Sequence, residues 1–313
     1  MQATENKGFN GDLVGGDAWS DSRQSRKSCA YKDRLPDTGP TETPSLPRAA
    51  RLPINRCNLP AVILGGLTYQ AHPVPLEIDG VRAFHHELFR FLAPIAEHRE
   101  RAALFVDYMA AHFCLDDLEQ AGLAPGRVRK SRRNANYLRM VRGWSFDSDG
   151  REGAVLKHWV ETRFGLLARH HAGPLDGRDS DAYQQYLAAG SHGLYATNAL
   201  EAQLDLLYTY CQYELTRQHP RQTHLTLFRG SNRIDEHEVL ARGSDGWYRV
   251  LLNNLNSFTR ERERADEFGD YILTAQVPLA KICFYNDLLP GMLKGEDELV
   301  VIGGVYAVRI ETL

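Results

Sequence analysis

The chain has 313 residues, 43% hydrophobic and 25% charged, an ordinary globular balance that excludes full disorder, a collagen-like repeat and a disulfide scaffold. Lys and Arg number 37 against 40 Asp and Glu, a formal net charge of -3, so whole-chain charge predicts neither nucleic acid nor an anionic membrane as partner. The length allows one large domain or two small ones. No apolar run approaches the roughly 20 residues of a membrane helix. The opening MQATENKGFNGDLVGGD lacks the apolar stretch of a secretory signal. Cys29, Cys57, Cys114, Cys211 and Cys283 are widely spaced without a C-x-x-C, which suits free thiols in a reducing cytoplasm.

Residues 1–50 carry sparse apolar residues in no period and run through TGPTETPSLPR. Such a composition buries too little surface to offset ordering entropy, so a tail is expected. Its cluster Arg23, Arg26 and Lys27 is expected to be solvated, docking being the alternative. Residues 51–79 are a Pro-punctuated lead-in in which AVILGGLTY reads as a short buried strand. Helical spacing follows at Val81, Phe84, Leu88, Phe91, Leu92 and Ile95, and again from Leu104 to Phe113, with a stop at Gly122. EGAVLKHWVETRFGLLARHH forms another amphipathic helix. Asn198 to about Arg217 is the clearest one, with a capping box at Asn198 and Glu201 and an apolar face of Leu200, Leu204, Leu207, Cys211 and Leu215.

Near residue 221 the period becomes that of strands. THLTLFRG, WYRVLLNNL, YILTAQVP, KICFY, ELVVIGG and VYAVRIE are each bounded by turn residues, with one helix, RERERADEF, interposed. Helices over 51–220 and strands over 221–313 predict an α+β chain.

Several chemistries are absent. There is no P-loop, no G-x-G-x-x-G opening a helix, no H-E-x-x-H and no G-x-S-x-G. No metal ligand set is visible. The pairs His85–His86 and His170–His171 fall on predicted helices, where neighbours point about 100° apart, so exposed or capping histidines are expected.

Three segments of the β-rich part stand out. Arg229 ends an apolar strand and precedes Gly230, so a guanidinium meets a planar anion where glycine lets a ligand approach the backbone. A solvated or salt-bridged strand-end arginine shows the same pattern. In Asn256-Ser257-Phe258-Thr259, alternation puts Ser257 and Thr259 on one face, either orienting a carboxylate or capping the next helix. In Gly295-Glu296-Asp297-Glu298, an extended segment puts Glu296 and Glu298 on one face roughly 7 Å apart. Such a pair is costly unless a cation lies between, although a solvated turn has the same composition.

In this order the segments resemble the Arg / Ser-Thr-Ser / Glu-x-Glu signature of mono-ADP-ribosyltransferases, with Asn-Ser-Phe-Thr where Ser-Thr-Ser is common. NRCNLPAVILGGLTYQAHPVPLEIDGV, LTLFRG, NNLNSFT, ERADEFGDYIL and LPGMLKGEDE are similar to the dinitrogenase reductase ADP-ribosyltransferases of nitrogen-fixing bacteria. The similarity runs from about Arg51 to the C-terminus. It implies a single domain over 51–313, whose β core has two packed, mostly antiparallel sheets. It also implies transfer of ADP-ribose from NAD+ to an arginine of dinitrogenase reductase, with release of nicotinamide.

The resemblance implies roles too. Arg229 binds the NAD phosphates and holds the cleft floor, the Gly230 backbone meets the nicotinamide amide, and Ser257 orients Glu298. Thr259 joins the cofactor site. Glu298 binds the ribose hydroxyl and stabilises the developing cation, as carboxylates do in glycoside hydrolysis. Glu296 receives the acceptor guanidinium. Phe268 or Tyr271 stacks on nicotinamide, and residues 286–294 form a target loop or a buried turn. Control by a PII-type signal protein and preference for ADP-bound substrate are further implications. An NAD-binding regulatory protein and an NAD glycohydrolase are the competing functions. The basic run Arg127–Arg133, extended by Arg139 and Arg142, reads as a solvated helix face or a dock for an acidic partner; without aromatics before Tyr137 it does not suit nucleic acid.

Overall fold

Apolar residues at three- and four-residue spacing make the first part helical, and alternation makes the last part strands. The computed structural model describes residues 45–115, 135–177, 179–193, 198–232, 237–243, 246–293 and 297–312. The helices are α1 (Ala61–Leu64), α2 (Leu67–Ala71), α3 (Val81–Phe84), α4 (His86–Leu92), α5 (His98–His112), α6 (Tyr137–Phe146), α7 (Arg151–Phe164), α8 (Asp181–Gly193) and α9 (Asn198–Gln218). Strands β1 (His224–Ser231), β2 (Glu238–Arg242) and β3 (Trp247–Thr259) follow. After α10 (Arg262–Asp266) come β4 (Tyr271–Pro278), β5 (Ile282–Tyr285) and β6 (Glu298–Thr312). The class is α+β.

Among the described residues the strands form one six-stranded antiparallel sheet in the order β2-β3-β1-β4-β6-β5, where two packed sheets were expected. Strand β3 also pairs with β6, so β3, β1, β4 and β6 close into a ring. The long strands allow this, because the β3–β6 register shifts between Leu252 and Leu255 and such a bulge bends the pair.

AVILGGLTY is helical, not a strand. Pro60 precedes α1, and Gly65-Gly66 separates it from α2. Leu64 and Tyr69 face the core, and the Gly65 carbonyl accepts from Val305 N at 2.8 Å. Gly304, at φ +112°, permits this approach, since a Cβ there would lie 2.8 Å from Gly65. Gln70 then enters the sheet where β4 and β6 separate. Its amide nitrogen donates to the Gln276 and Ala307 carbonyls, both at 3.1 Å, and its oxygen accepts from Ala307 N at 2.8 Å. ELVVIGG and VYAVRIE are accordingly one strand; their glycines mark a contact and not a break.

Helix α9 buries all five residues of its expected apolar face. Glu201 accepts from Arg163 at 2.9 Å; the Asn198 side chain lies outside the described residues. Buried ion pairs tie α9 to its neighbours. Arg101 of α5 donates twice to Glu214, both at 2.7 Å, and Arg163 of α7 donates to Asp205 at 2.8 and 3.0 Å.

Other expectations are corrected. The long helix ends at Phe164, because Gly165 takes a left-handed φ of +72°, and His170 and His171 lie beyond it. His85 sits between α3 and α4. His85 and His171 are buried, not exposed. Burial pushes both down to about 4, helped by His112 beside His85 and by Lys157 beside His171. Leu46 and Ala50 are also buried, and the Ala50 carbonyl accepts from Leu167 N at 3.0 Å. The last residues of the segment expected to lack a core therefore pack into one. Residues 1–44, Gly122 and Arg127–Arg133 lie outside the described residues.

Candidate active site

Strands β1 and β3 meet with Phe228 opposite Thr259. The crossing brings Arg229 to Ser257, and the Arg229 Nη1 donates to the Ser257 carbonyl at 2.9 Å. In the β3–β6 ladder, Thr259 lies opposite Glu298 and Ser257 opposite Val300. Directly opposed residues share a face, as do residues two apart, so Ser257 reaches Glu298 diagonally. The Ser257 Oγ donates to Glu298 Oε1 at 2.6 Å. Arg229, Ser257 and Glu298 are thus brought together.

Two residues of α6 complete this cluster. Trp144 Nε1 donates to Ser257 Oγ at 3.0 Å, and Ser145 Oγ donates to Glu298 Oε2 at 2.7 Å. Neither stood out in the sequence, where both look like ordinary helix residues.

The remaining predicted site residues are placed differently. Thr259 is buried; its hydroxyl donates to Asp297 at 3.2 Å and accepts from Glu261 N at 3.1 Å, holding the turn into α10. Asp297 also accepts from Arg260 N at 2.8 Å and has φ +51°. Strand β6 begins at Glu298, and Glu296 lies outside the described residues. Gly230 is required by the protein itself, because a Cβ there would lie 2.1 Å from the Ala265 carbonyl of α10. Phe268, which packs against Gly230, is 64% exposed, and Tyr271 is half-buried in β4 opposite Ser231. In the expected target loop, Leu288 and Leu289 are buried, and Arg142 Nε donates to the Met292 carbonyl at 2.9 Å.

A cleft of about 970 Å³ lies beside the cluster, lined by Trp144, Ser257, Arg229, Lys157, His237 and Asn253 among others. Glu298 adjoins it through Trp144 and Ser257. Lys157 is buried in its wall and donates to Asp149 at 2.8 Å, the His170 carbonyl at 3.1 Å and His171 Nδ1 at 3.2 Å. Burial lowers the Lys157 pKa, and the Asp149 carboxylate offsets part of that. Burial would raise Asp149, but the Lys157 ammonium wins and holds it below the usual carboxylate value. Burial, with the Arg229 charge, pushes His237 down to about 3, so its ring is neutral. Its Nε2 is buried with no hydrogen-bond partner among the described residues.

The asparagines of NNLN were the available sequence signal for this wall, being polar residues inside an apolar strand. Asn253 accepts from Arg169 N and donates to the His170 carbonyl, both at 2.9 Å. Asn254 donates to the Lys157 and Leu166 carbonyls at 2.8 and 3.1 Å. They fasten the segment after α7 to the sheet. Among the described residues, no group of His, Cys, Asp and Glu side chains suits a metal ion, and no helix is long and apolar enough to cross a membrane.

The family model of dinitrogenase reductase ADP-ribosyltransferase matches residues 54–310. The protein named NAD(+)--dinitrogen-reductase ADP-D-ribosyltransferase from Rhodospirillum rubrum is 39% identical over 262 residues, covering 83% of this chain and 95% of its own. No solved structure matches. Arg229, Ser257 and Glu298 fall inside the matched region. The chain belongs to the dinitrogenase reductase ADP-ribosyltransferase family.

Proposed function

We propose that this protein transfers ADP-ribose from NAD+ to an arginine of dinitrogenase reductase, releasing nicotinamide and switching nitrogen fixation off. The observation that carries the reading is the Glu298 carboxylate, held by Ser257 and Ser145 beside a cleft floored by Arg229. The cleft fits a dinucleotide in three respects. Its volume lies within the range of about 300–1,000 Å³ usual for small-molecule sites. Arg229 lends positive charge to a pyrophosphate. His237 Nε2 in its wall, buried with no hydrogen-bond partner among the described residues, offers a hydrogen bond to a bound ligand.

The reaction breaks a C–N glycosidic bond and leaves positive charge on the ribose. Glu298 faces that charge and accepts from a ribose hydroxyl, as the carboxylates of glycosidases do. Ser257 holds Glu298 in place. An arginine, with a pKa above about 12, attacks only when a carboxylate orients it and takes its proton, and Glu296 has that role. The Gly230 backbone meets the nicotinamide amide, and Phe268, being exposed, suits stacking on the ring better than Tyr271. The resemblance matches Arg229, Ser257 and Glu298 to the Arg, Ser and Glu motifs of mono-ADP-ribosyltransferases, and the contacts that join the three support those roles. The free thiols Cys57, Cys114, Cys211 and Cys283 suit a reducing cytoplasm. Preference for the ADP-bound acceptor and control by a PII-type protein rest on the resemblance alone.

The test is incubation with labelled NAD+ and reduced, ADP-loaded dinitrogenase reductase. Label entering the acceptor supports the transferase. Label in free ADP-ribose alone makes the protein an NAD glycohydrolase, and binding without turnover makes it a regulatory NAD-binding protein.

A further inference from the structure

Ser257 lies between a donor and an acceptor. An indole N–H only donates and a carboxylate only accepts, whereas a hydroxyl does both. With Trp144 donating to Ser257 Oγ at 3.0 Å, the serine proton is directed to Glu298 Oε1 at 2.6 Å. The order Trp144 to Ser257 to Glu298 is therefore fixed. Ser145 Oγ lies 3.5 Å from the Val141 carbonyl and 2.7 Å from Glu298 Oε2, so the carboxylate is its closer acceptor. Each carboxylate oxygen is thus held by one hydroxyl.

The donors are neutral. Among the described residues, no Lys or Arg forms an ion pair with Glu298. Hydroxyls fix a carboxylate without cancelling its charge, which leaves that charge for a cation on the ligand. An ionised carboxyl has about four acceptor sites. Two are filled here, which leaves capacity for a ribose hydroxyl.

We infer that the C-terminal end of α6 positions the Glu298 carboxylate, Trp144 by fixing the Ser257 hydroxyl and Ser145 by holding the second oxygen. This rests on the transferase reading above. Both are positioning residues that act through Glu298, Ser145 from outside the cleft and Trp144 from its lining. Misplacing a reacting group by about 1 Å costs up to about 100-fold in rate.

The experiment compares Ser145→Ala, Ser145→Thr, Trp144→Phe and Glu298→Gln, measuring kcat for transfer and the Kd for NAD+ by calorimetry. Ser145 is exposed, so its alanine variant folds normally, and a thermal melt verifies that. Ser145→Ala and Trp144→Phe are each expected to lower kcat about 10-fold or more; the Kd for NAD+ stays within about twofold in Ser145→Ala, whose side chain does not line the cleft. Ser145→Thr keeps the hydroxyl and is expected to restore kcat. Unchanged kcat in Ser145→Ala and Trp144→Phe, with Glu298→Gln inactive, overturns the positioning inference alone. A fall in kcat that threonine does not rescue also overturns it. Retained transfer in Glu298→Gln overturns the transferase reading itself.

Discussion

Asp149→Asn isolates the charge balance in the cleft wall. The Lys157 side chain is 2% exposed and Asp149 33%. In the variant the hydrogen-bond acceptors left to the ammonium are all neutral: the His170 carbonyl, His171 Nδ1 and the amide oxygen at position 149. Breaking a buried ion pair costs about 3–5 kcal/mol, and the partial exposure of Asp149 reduces this to about 2–3 kcal/mol. For a chain of this size the midpoint of thermal unfolding should fall by roughly 3–5 °C. The pH dependence gives the sharper test. In the native protein Asp149 is depressed, so its contribution is present above the unfolded carboxylate pKa of about 3.9 and is lost as pH falls through the folded value. Lys157 is depressed too, and without Asp149 it is depressed further. The unfolded state then binds more protons than the folded state at alkaline pH, so the variant regains stability as pH rises toward about 10. Melting curves of both proteins from pH 6 to 10 read this directly. A deficit that does not change with pH, or one below about 0.5 kcal/mol, would refute the account of Lys157 as a charged group held by Asp149.

Arg229→Lys keeps the charge but loses the planar fork, and should raise the KM for NAD+ about 10-fold or more, the scale of one charge-assisted hydrogen bond; steady-state kinetics giving an unchanged KM would remove Arg229 from the cofactor site. Gln70→Leu strips three hydrogen bonds from the gap between β4 and β6, and urea unfolding should show a loss of about 3 kcal/mol. Its kcat per folded molecule should be unchanged, because Gln70 does not line the cleft. A chain starting at residue 45 should fold and retain activity, whereas one starting at Arg51 loses the burial of Leu46 and Ala50 and should be less stable by about 2 kcal/mol; equal melting midpoints for the two would show that this packing is idle.

The strands were legible because alternation is a local property. Each of β1, β3, β4 and β5 falls on a segment that reads as a strand without any partner. The ring they close was not legible, since it depends on one crossing, at Phe228 and Thr259, and on the bend after Leu252. AVILGGLTY misled for the reason that short apolar runs always do: helix and strand bury them equally well, and here the flanking Pro60 and the paired glycines decide. Arg229, Ser257 and Glu298 were singled out through motif order. Trp144 and Ser145 were not, because their significance lies in contacts at sequence separations of 113 for Trp144 with Ser257 and 153 for Ser145 with Glu298. Leu46 was missed for a related reason, as one apolar residue among Pro, Thr and Ser has no period.

The same contacts bear on how the two parts of the chain share the site. The sheet alone supplies Glu298 with one hydroxyl, from Ser257. The donor that orients that hydroxyl and the donor to the other carboxylate oxygen both come from α6. Helix α6 also holds the segment before Glu298, through Arg142 and the Met292 carbonyl at 2.9 Å. Farther along, α7 contributes Lys157 to the cleft wall, and the segment after it is fastened to β3 by Asn253 and Asn254. A helical part that merely covered the sheet would leave the carboxylate geometry intact when loosened. Here any shift of α6 by a hydrogen-bond length breaks the contacts to Ser257, Glu298 and Met292 together, so the position of the carboxylate and the seating of the loop before it are fixed by the same ten-residue helix.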